Sequence, residues 1–175
     1  MTRAAVRSGI AAYFGGATFD PAYRIWRPTP LAAAGLAGVR AFFPKRMSDD
    51  DYTFGYSPPR GMGGVMIVHL PTQNRTRIAI GGLHGGIKNE RFSAELHLYH
   101  LGQVPHVEDA QADFDALVEA IIARLEADPT LGGIVTQAGE GDAGITVAAS
   151  EPYVKGERVE SYGVIRFDAN DYPTA

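Results

Sequence analysis

Six apolar side chains at helical spacing constrain this chain more than anything else in it. Phe114, Leu117, Val118, Ile121, Ile122 and Leu125 stand at offsets 0, 3, 4, 7, 8 and 11. That is one unbroken stripe of a 3.6-residue helix. Each of these side chains, fully buried, contributes roughly 1.5–3 kcal/mol. The helix is predicted from about Glu108 to Ala127. Asp109, Asp113, Asp115 and Glu119 crowd its first half, where the helix dipole favours anions, and Pro129 and Gly132-Gly133 close it. A stripe of this kind needs an apolar surface to lie on, and the residues on either side of it supply a sheet.

Just upstream, residues 91–101 alternate. Phe92, Ala94, Leu96 and Leu98 point one way; Arg91, Ser93, Glu95, His97 and Tyr99 point the other. Val65–Leu70 and Arg75–Ile80 flank Pro71-Thr72-Gln73-Asn74 and read as a hairpin. Gly81-Gly82-Leu83-His84-Gly85-Gly86 then forms a wide turn. Beyond the helix, Ile145–Ala149 and Lys155–Asp168 read as two further strands. The second carries Val159, Ser161, Gly163, Ile165 and Phe167 on its more apolar, smaller face. Near the start, Val6, Ile10, Tyr13 and Phe14 share one helical stripe, with Thr2 as N-cap and Gly15-Gly16 as stop. The fold class predicted is α+β: a mostly antiparallel sheet of about four to five strands covered by one long amphipathic helix, with a short N-terminal helix. No internal repeat or linker divides the 175 residues, so a single domain spanning 1–175 is expected.

Between Ala17 and Gly64 periodicity is poor and prolines recur; Leu31–Val39 reads as a short helical turn or a strand. Residues 47–63 hold Asp49-Asp50-Asp51, Tyr52, Phe54, Tyr56, Pro58-Pro59 and three glycines. They are predicted to form a long mobile loop. Loops beyond about 12–15 residues are uncommon in compact domains and tend to be functional. Its aromatic content implies that it orders against a partner, at a backbone entropy cost of about 1–2 kcal/mol per residue.

Hydrophobic residues make up 45% and charged residues 21%, enough to build a core. No window approaches the ~18 uninterrupted apolar residues of a membrane span, and the polar segment behind Arg3 and Arg7 does not resemble a signal peptide. Cysteine is absent, which rules out disulfides and thiolate chemistry and fits a cytosolic origin. Charge is distributed unevenly. Residues 1–107 carry 12 Lys+Arg against 6 Asp+Glu, and residues 108–175 carry 4 against 14. Unlike halves can be two faces of one domain, or can meet between copies.

Motifs for chemistry are weak. Gly139-Glu140-Gly141-Asp142-Ala143-Gly144 matches G-x-G-x-x-G, but it leads into a strand rather than a helix and bears two acids at the phosphate end. It reads as a turn. His97 and His100 are three apart on a strand and so face opposite sides; neither they nor His69, His84 and His106 show a metal-ligand spacing. Asp49-Asp50-Asp51 reads as a solvated run. Ser8, Ser48, Ser57, Ser93, Ser150 and Ser161 lack a nucleophile-elbow context. No catalytic residue, cofactor or metal is expected. Two basic clusters remain: Arg75, Arg77, Lys88 and Arg91 around the hairpin, and Trp26 with Tyr23, Arg24 and Arg27. Either one could contact phosphate or face a partner. The pI near 5.7 argues against a dedicated nucleic-acid binder.

The order of these segments resembles the tail terminator, or tail completion, proteins of long-tailed bacteriophages. The stretches that carry it are Arg77-Ile78-Ala79-Ile80-Gly81-Gly82, Glu95-Leu96-His97-Leu98-Tyr99-His100, Glu108-Asp109-Ala110 through Phe114-Asp115-Ala116-Leu117, Ile121–Asp128, Gln137-Ala138-Gly139-Glu140, and Arg166-Phe167-Asp168 to Tyr172. The resemblance covers most of the chain from about Val65 onward. Before that it rests on the short helix and Pro44-Lys45-Arg46, and residues 47–63 match no pattern of the family. It implies a virion structural protein, made in the bacterial host cytoplasm, that caps the tail tube as a ring of about six copies. One ring face would meet the tail-tube protein and the other the head-completion proteins of the neck. DNA would pass through the hole without specific binding, and no reaction would be catalysed. Candidate assembly-interface residues are Trp26, Lys45, Arg46, Tyr52, Phe54, Tyr56, Arg60, Arg75, Arg77, Lys88 and Arg91. The competing expectations are another phage neck or minor tail protein, or a small-ligand-binding domain or enzyme.

Overall fold

The computed structural model describes residues 2–15, 18–20, 25–27, 30–41, 63–77, 88–103, 107–140, 144–156 and 158–171. Helix α1 (Arg3–Gly15) begins as the sequence predicts. The Thr2 hydroxyl accepts the Ala5 amide at 3.2 Å, satisfying one of the donors a helix start leaves open. A small antiparallel pair follows, β1 (Thr18–Asp20) with β2 (Ile25–Arg27). Residues 30–40 form both elements that the sequence left open: a four-residue helix, α2 (Pro30–Ala33), and a strand, β3 (Leu36–Arg40).

The main sheet is built on three long strands: β4 (Gly64–Arg77), β5 (Lys88–Gln103) and β9 (Arg158–Asp171). Between β5 and β9 the chain runs through α3 (Val107–Ala127) and three short strands, β6 (Gln137–Ala138), β7 (Thr146–Ala149) and β8 (Tyr153–Lys155). The order is β3-β4-β5-β9, and β6, β7 and β8 all pair with successive parts of the far edge of β9. Every pairing is antiparallel except β3 with β4. Among the described residues the sheet therefore holds seven strands, three of them long, where four or five were expected. The strands not separately predicted, β6 and β8, are two and three residues long, too short for alternation to be read.

The hairpin predicted at Pro71–Asn74 does not exist. These residues lie inside one continuous β4, with a register shift between His69 and Thr72. Proline lacks an amide proton and is tolerated in sheets at bulges and along edges. Both conditions hold, because β3 pairs with β4 only as far as Ile67. The Arg3 guanidinium donates to the Leu70 and Pro71 carbonyls, supplying the partner that the missing strand would have given them. Residues 78–87, which join β4 to β5 in sequence and contain the predicted glycine turn, lie outside the described residues, as do 42–62 with most of the predicted loop.

Helices α1 and α3 cover one face of the sheet. Val6, Ile10 and Phe14 of α1 and Phe114, Leu117, Val118, Ile121 and Leu125 of α3 pack against Met66, Val68, Leu96, Leu98, Ile165 and Phe167. Close approach is enforced by glycine where α3 meets the sheet. A Cβ at Gly64 would lie 2.5 Å from the Leu117 side chain, and one at Gly102 would lie 2.4 Å from the Ala110 Cβ. Across the top of the layer, Arg124 donates to the Tyr13 carbonyl at 2.9 and 3.2 Å, and the Tyr13 hydroxyl donates to the Arg124 carbonyl at 2.8 Å. Asp128 shapes the turn after α3 by accepting the amides of Thr130 at 2.9 Å and Gly132 at 2.7 Å. That turn holds Leu131 at φ 51°, fully buried. The left-handed backbone costs a leucine about 1–2 kcal/mol, which its burial of about 1.5–3 kcal/mol offsets.

Candidate functional site

The face of the sheet opposite α3 carries the polar side chains. Alternation on β4, β5 and β9 sends Val65, Ile67 and His69, then Glu95, His97, Tyr99 and Leu101, then Tyr162, Val164 and Arg166 to this face. Register aligns them in rows: Val65, Tyr99 and Tyr162; Ile67, His97 and Val164; His69, Glu95 and Arg166. Val65, Ile67, Leu101 and Val164 are buried there. The polar groups converge on Glu95. Its Oε1 accepts Arg166 Nε at 2.9 Å, while its Oε2 lies 3.4 Å from His69 Nδ1 and 3.2 Å from His97 Nε2. On the other side of the His97 ring, Nδ1 lies 2.7 Å from the Tyr162 hydroxyl. The tyrosine ring in turn packs on Tyr99, with centroids 4.9 Å apart.

The electrostatics follow from these contacts. Burial alone would raise the Glu95 carboxyl; hydrogen bonds with Arg166, His69 and His97 outweigh it and hold the group below its ordinary range. Burial lowers the His97 imidazole, and the nearby carboxylate of Glu95 recovers only part of that. Tyr162 is raised by burial and by its neighbours Tyr99 and Glu95. At neutral pH the cluster thus holds a carboxylate, a guanidinium, a neutral His97 and a neutral phenol. The ligand atoms of His69, Glu95 and His97 all lie within 4.8 Å of one another, so these three residues are able to hold a metal ion. Sequence reasoning placed His97 on the correct side of β5 but had no means of bringing His69 beside it. The signal lies in register: His69 is directly opposite Glu95, and Glu95 and His97 share a face at i, i+2.

On the helix side, His100 and Ser161 are opposite each other and buried, and neither His100 Nδ1 nor Ser161 Oγ has a hydrogen-bond partner among the described residues. The His100 ring lies against Phe114, with centroids 6.0 Å apart and the rings tilted by 58°. Elsewhere, a cleft of about 320 Å³ lies between the end of α3 and β6, lined by Leu125, Glu126, Pro129, Ala138, Gly139, Glu140 and Ile145. Gly139 and Gly144 both adopt positive φ and are followed by strand β7. The G-x-G-x-x-G match therefore has no helix start on which to seat a phosphate.

Of the candidate interface residues, Arg75, Arg77, Lys88 and Arg91 come together on the β4–β5 ribbon. Arg75 pairs with Glu90 at 2.8 Å, and Arg91 pairs with Asp168 of β9. Arg77 and Lys88 are directly opposite each other in the register, and Lys88 is exposed. Trp26 lies in β2, in register with Phe19. Lys45, Arg46, Tyr52, Phe54, Tyr56 and Arg60 lie outside the described residues. At the other edge of the sheet, Val147, Tyr153 and Val154 are large apolar side chains left exposed, beside the exposed acids Glu151 and Glu160.

No protein-family model matches this chain, and no curated protein matches it in sequence. No helix among the described residues is long and apolar enough to cross a membrane.

Proposed function

We propose that this protein is a virion structural component that caps a phage tail tube as a ring and joins it to the head–tail neck, without catalysis. The observation that carries the reading is the unlike chemistry at the two edges of the sheet. One edge offers a cationic ribbon, where Arg77 stands opposite Lys88. Like charges directly opposed across a strand pair destabilise it, and an anionic partner relieves the cost. The other edge offers Val147, Tyr153 and Val154 beside Glu151 and Glu160. Copies placed head to tail would bring the ribbon of one against the acidic, apolar edge of the next. A heterologous contact of this kind closes into a ring when its rotation allows. The family resemblance stated from sequence adds the tail tube and the neck as the partners on either side of such a ring, and a lumen for DNA.

Native mass measurement and negative-stain microscopy of the purified chain, alone and with tail tubes, test the reading. A ring of about six copies seated at tube ends is the expected result. A chain that stays monomeric at every concentration and leaves tube ends bare overturns it.

A further inference from the structure

We infer that His69, Glu95 and His97 form a binding site for a divalent transition-metal ion of the zinc type, on the sheet face opposite α3. Donor chemistry and spacing carry this assignment, independently of the ring reading. Two imidazoles and one carboxylate are a protein ligand set found at catalytic-type zinc sites, where three protein ligands leave the fourth position for water. Metal–ligand bonds of about 2.0–2.1 Å in a tetrahedron put neighbouring ligand atoms about 3.3 Å apart. The observed separations are 3.2 Å from Glu95 Oε2 to His97 Nε2 and 3.4 Å to His69 Nδ1. Those are long for charge-assisted hydrogen bonds, which close to about 2.7–2.9 Å, and match two edges of a coordination tetrahedron.

The surroundings fit the same purpose. Arg166 occupies Glu95 Oε1, which leaves Oε2 as the one oxygen directed between the imidazoles. Tyr162 contacts His97 Nδ1 at 2.7 Å. When Nδ1–H donates to the tyrosine oxygen, Nε2 presents its lone pair to the ion; this is the outer hydrogen bond that metal-binding histidines carry. Rigidity comes from the scaffold, since all five residues sit on three adjacent paired strands. Access is available through His69, whose side chain is 38% exposed against 20% for Glu95 and 14% for His97. The register shift immediately after His69 interrupts the ladder beside this ligand, before pairing resumes at Thr72 with Ser93.

The test uses the 175-residue chain, freed of metal by a chelator and titrated with Zn²⁺ by calorimetry, and with Co²⁺ by visible absorption. One ion per chain is expected, with the intense visible bands of low-coordinate Co²⁺. His69→Gln and His97→Gln should each weaken binding by ~100-fold, and Tyr162→Phe by ~10-fold, the range seen for outer-shell partners. Circular dichroism checks that each variant is folded. If His97→Gln fails to fold, the half-exposed His69 position decides the matter. Absence of saturable binding by the wild-type chain, or binding undiminished in folded His69→Gln, overturns the assignment.

Discussion

His100 is the side chain whose protonation the fold opposes most plainly. It is buried against Phe114 beneath α3, and burial lowers its pKa, with only the Asp113 charge acting the other way. The unfolded chain therefore takes up a proton near pH 6.5 that the folded chain resists. Stability from this group is complete above that pH and is lost as pH falls toward the depressed folded value. Urea midpoints measured from pH 7.5 downward should fall for the wild-type protein. His100→Phe should flatten that slope by up to one proton, or about 1.4 kcal/mol per pH unit. At the outer end of the same layer, Arg124 joins α3 to α1 through two hydrogen bonds to the Tyr13 carbonyl and a guanidinium 4.4 Å over the Tyr13 ring. Arg124→Met keeps the aliphatic stem but leaves the carbonyl without its donor. Thermal or chemical denaturation should show a loss of about 1–2 kcal/mol.

Helix α3 and the three long strands depend on each other, because neither can bury its apolar side alone. Ile121 is fully buried at the centre of their contact. Ile121→Asp places a carboxylate there with no partner, at a cost of order 4 kcal/mol or more, a large part of the stability of a typical domain. Insoluble or unfolded protein is the expected outcome, and a wild-type melting temperature would refute the packing argument. The glycine beneath the helix start is a subtler requirement. Gly102→Val would push α3 away at Ala110, where even a Cβ comes within 2.4 Å, and overpacking of that kind costs about 1–3 kcal/mol. A lowered denaturation midpoint at an unchanged m-value would show that the helix moved without the fold changing.

For the whole molecule the question is how the charge asymmetry is spent. The basic and acidic halves of the chain share one sheet, with β4 and β5 from the first beside β9 from the second. Part of the opposed charge meets internally, in Arg91 with Asp168 and Arg166 with Glu95. The Arg77–Lys88 end of the ribbon is what the proposed head-to-tail contact uses. Lys88→Glu should leave the monomer folded, or slightly stabilise it by replacing a like-charge cross-strand pair with an opposite one. It should also shift the self-association measured by sedimentation or native mass toward smaller species. Unaltered assembly would remove the ribbon from the interface.

Short-range pattern in the chain was enough for the long elements. The stripe from Phe114 to Leu125, the alternation through Phe92–Leu98 and the small face of β9 each repeat often enough for local sterics and burial to leave a single solution. Pattern found β7 at Ile145–Ala149 but missed β6 and did not separate β8 from β9, and it failed where a local turn signal met a stronger tertiary demand. Pro71–Asn74 stays extended because β5 continues to pair with it and Arg3 serves its open carbonyls. The metal-ligand cluster is completed only by tertiary structure, since alternation puts Glu95 and His97 on one face but not His69 beside them. His69 and Glu95 lie twenty-six positions apart, and only strand register makes them neighbours. Periodicity is a property of consecutive residues and can be read from them, whereas register is decided by the free energy of two strands packing together.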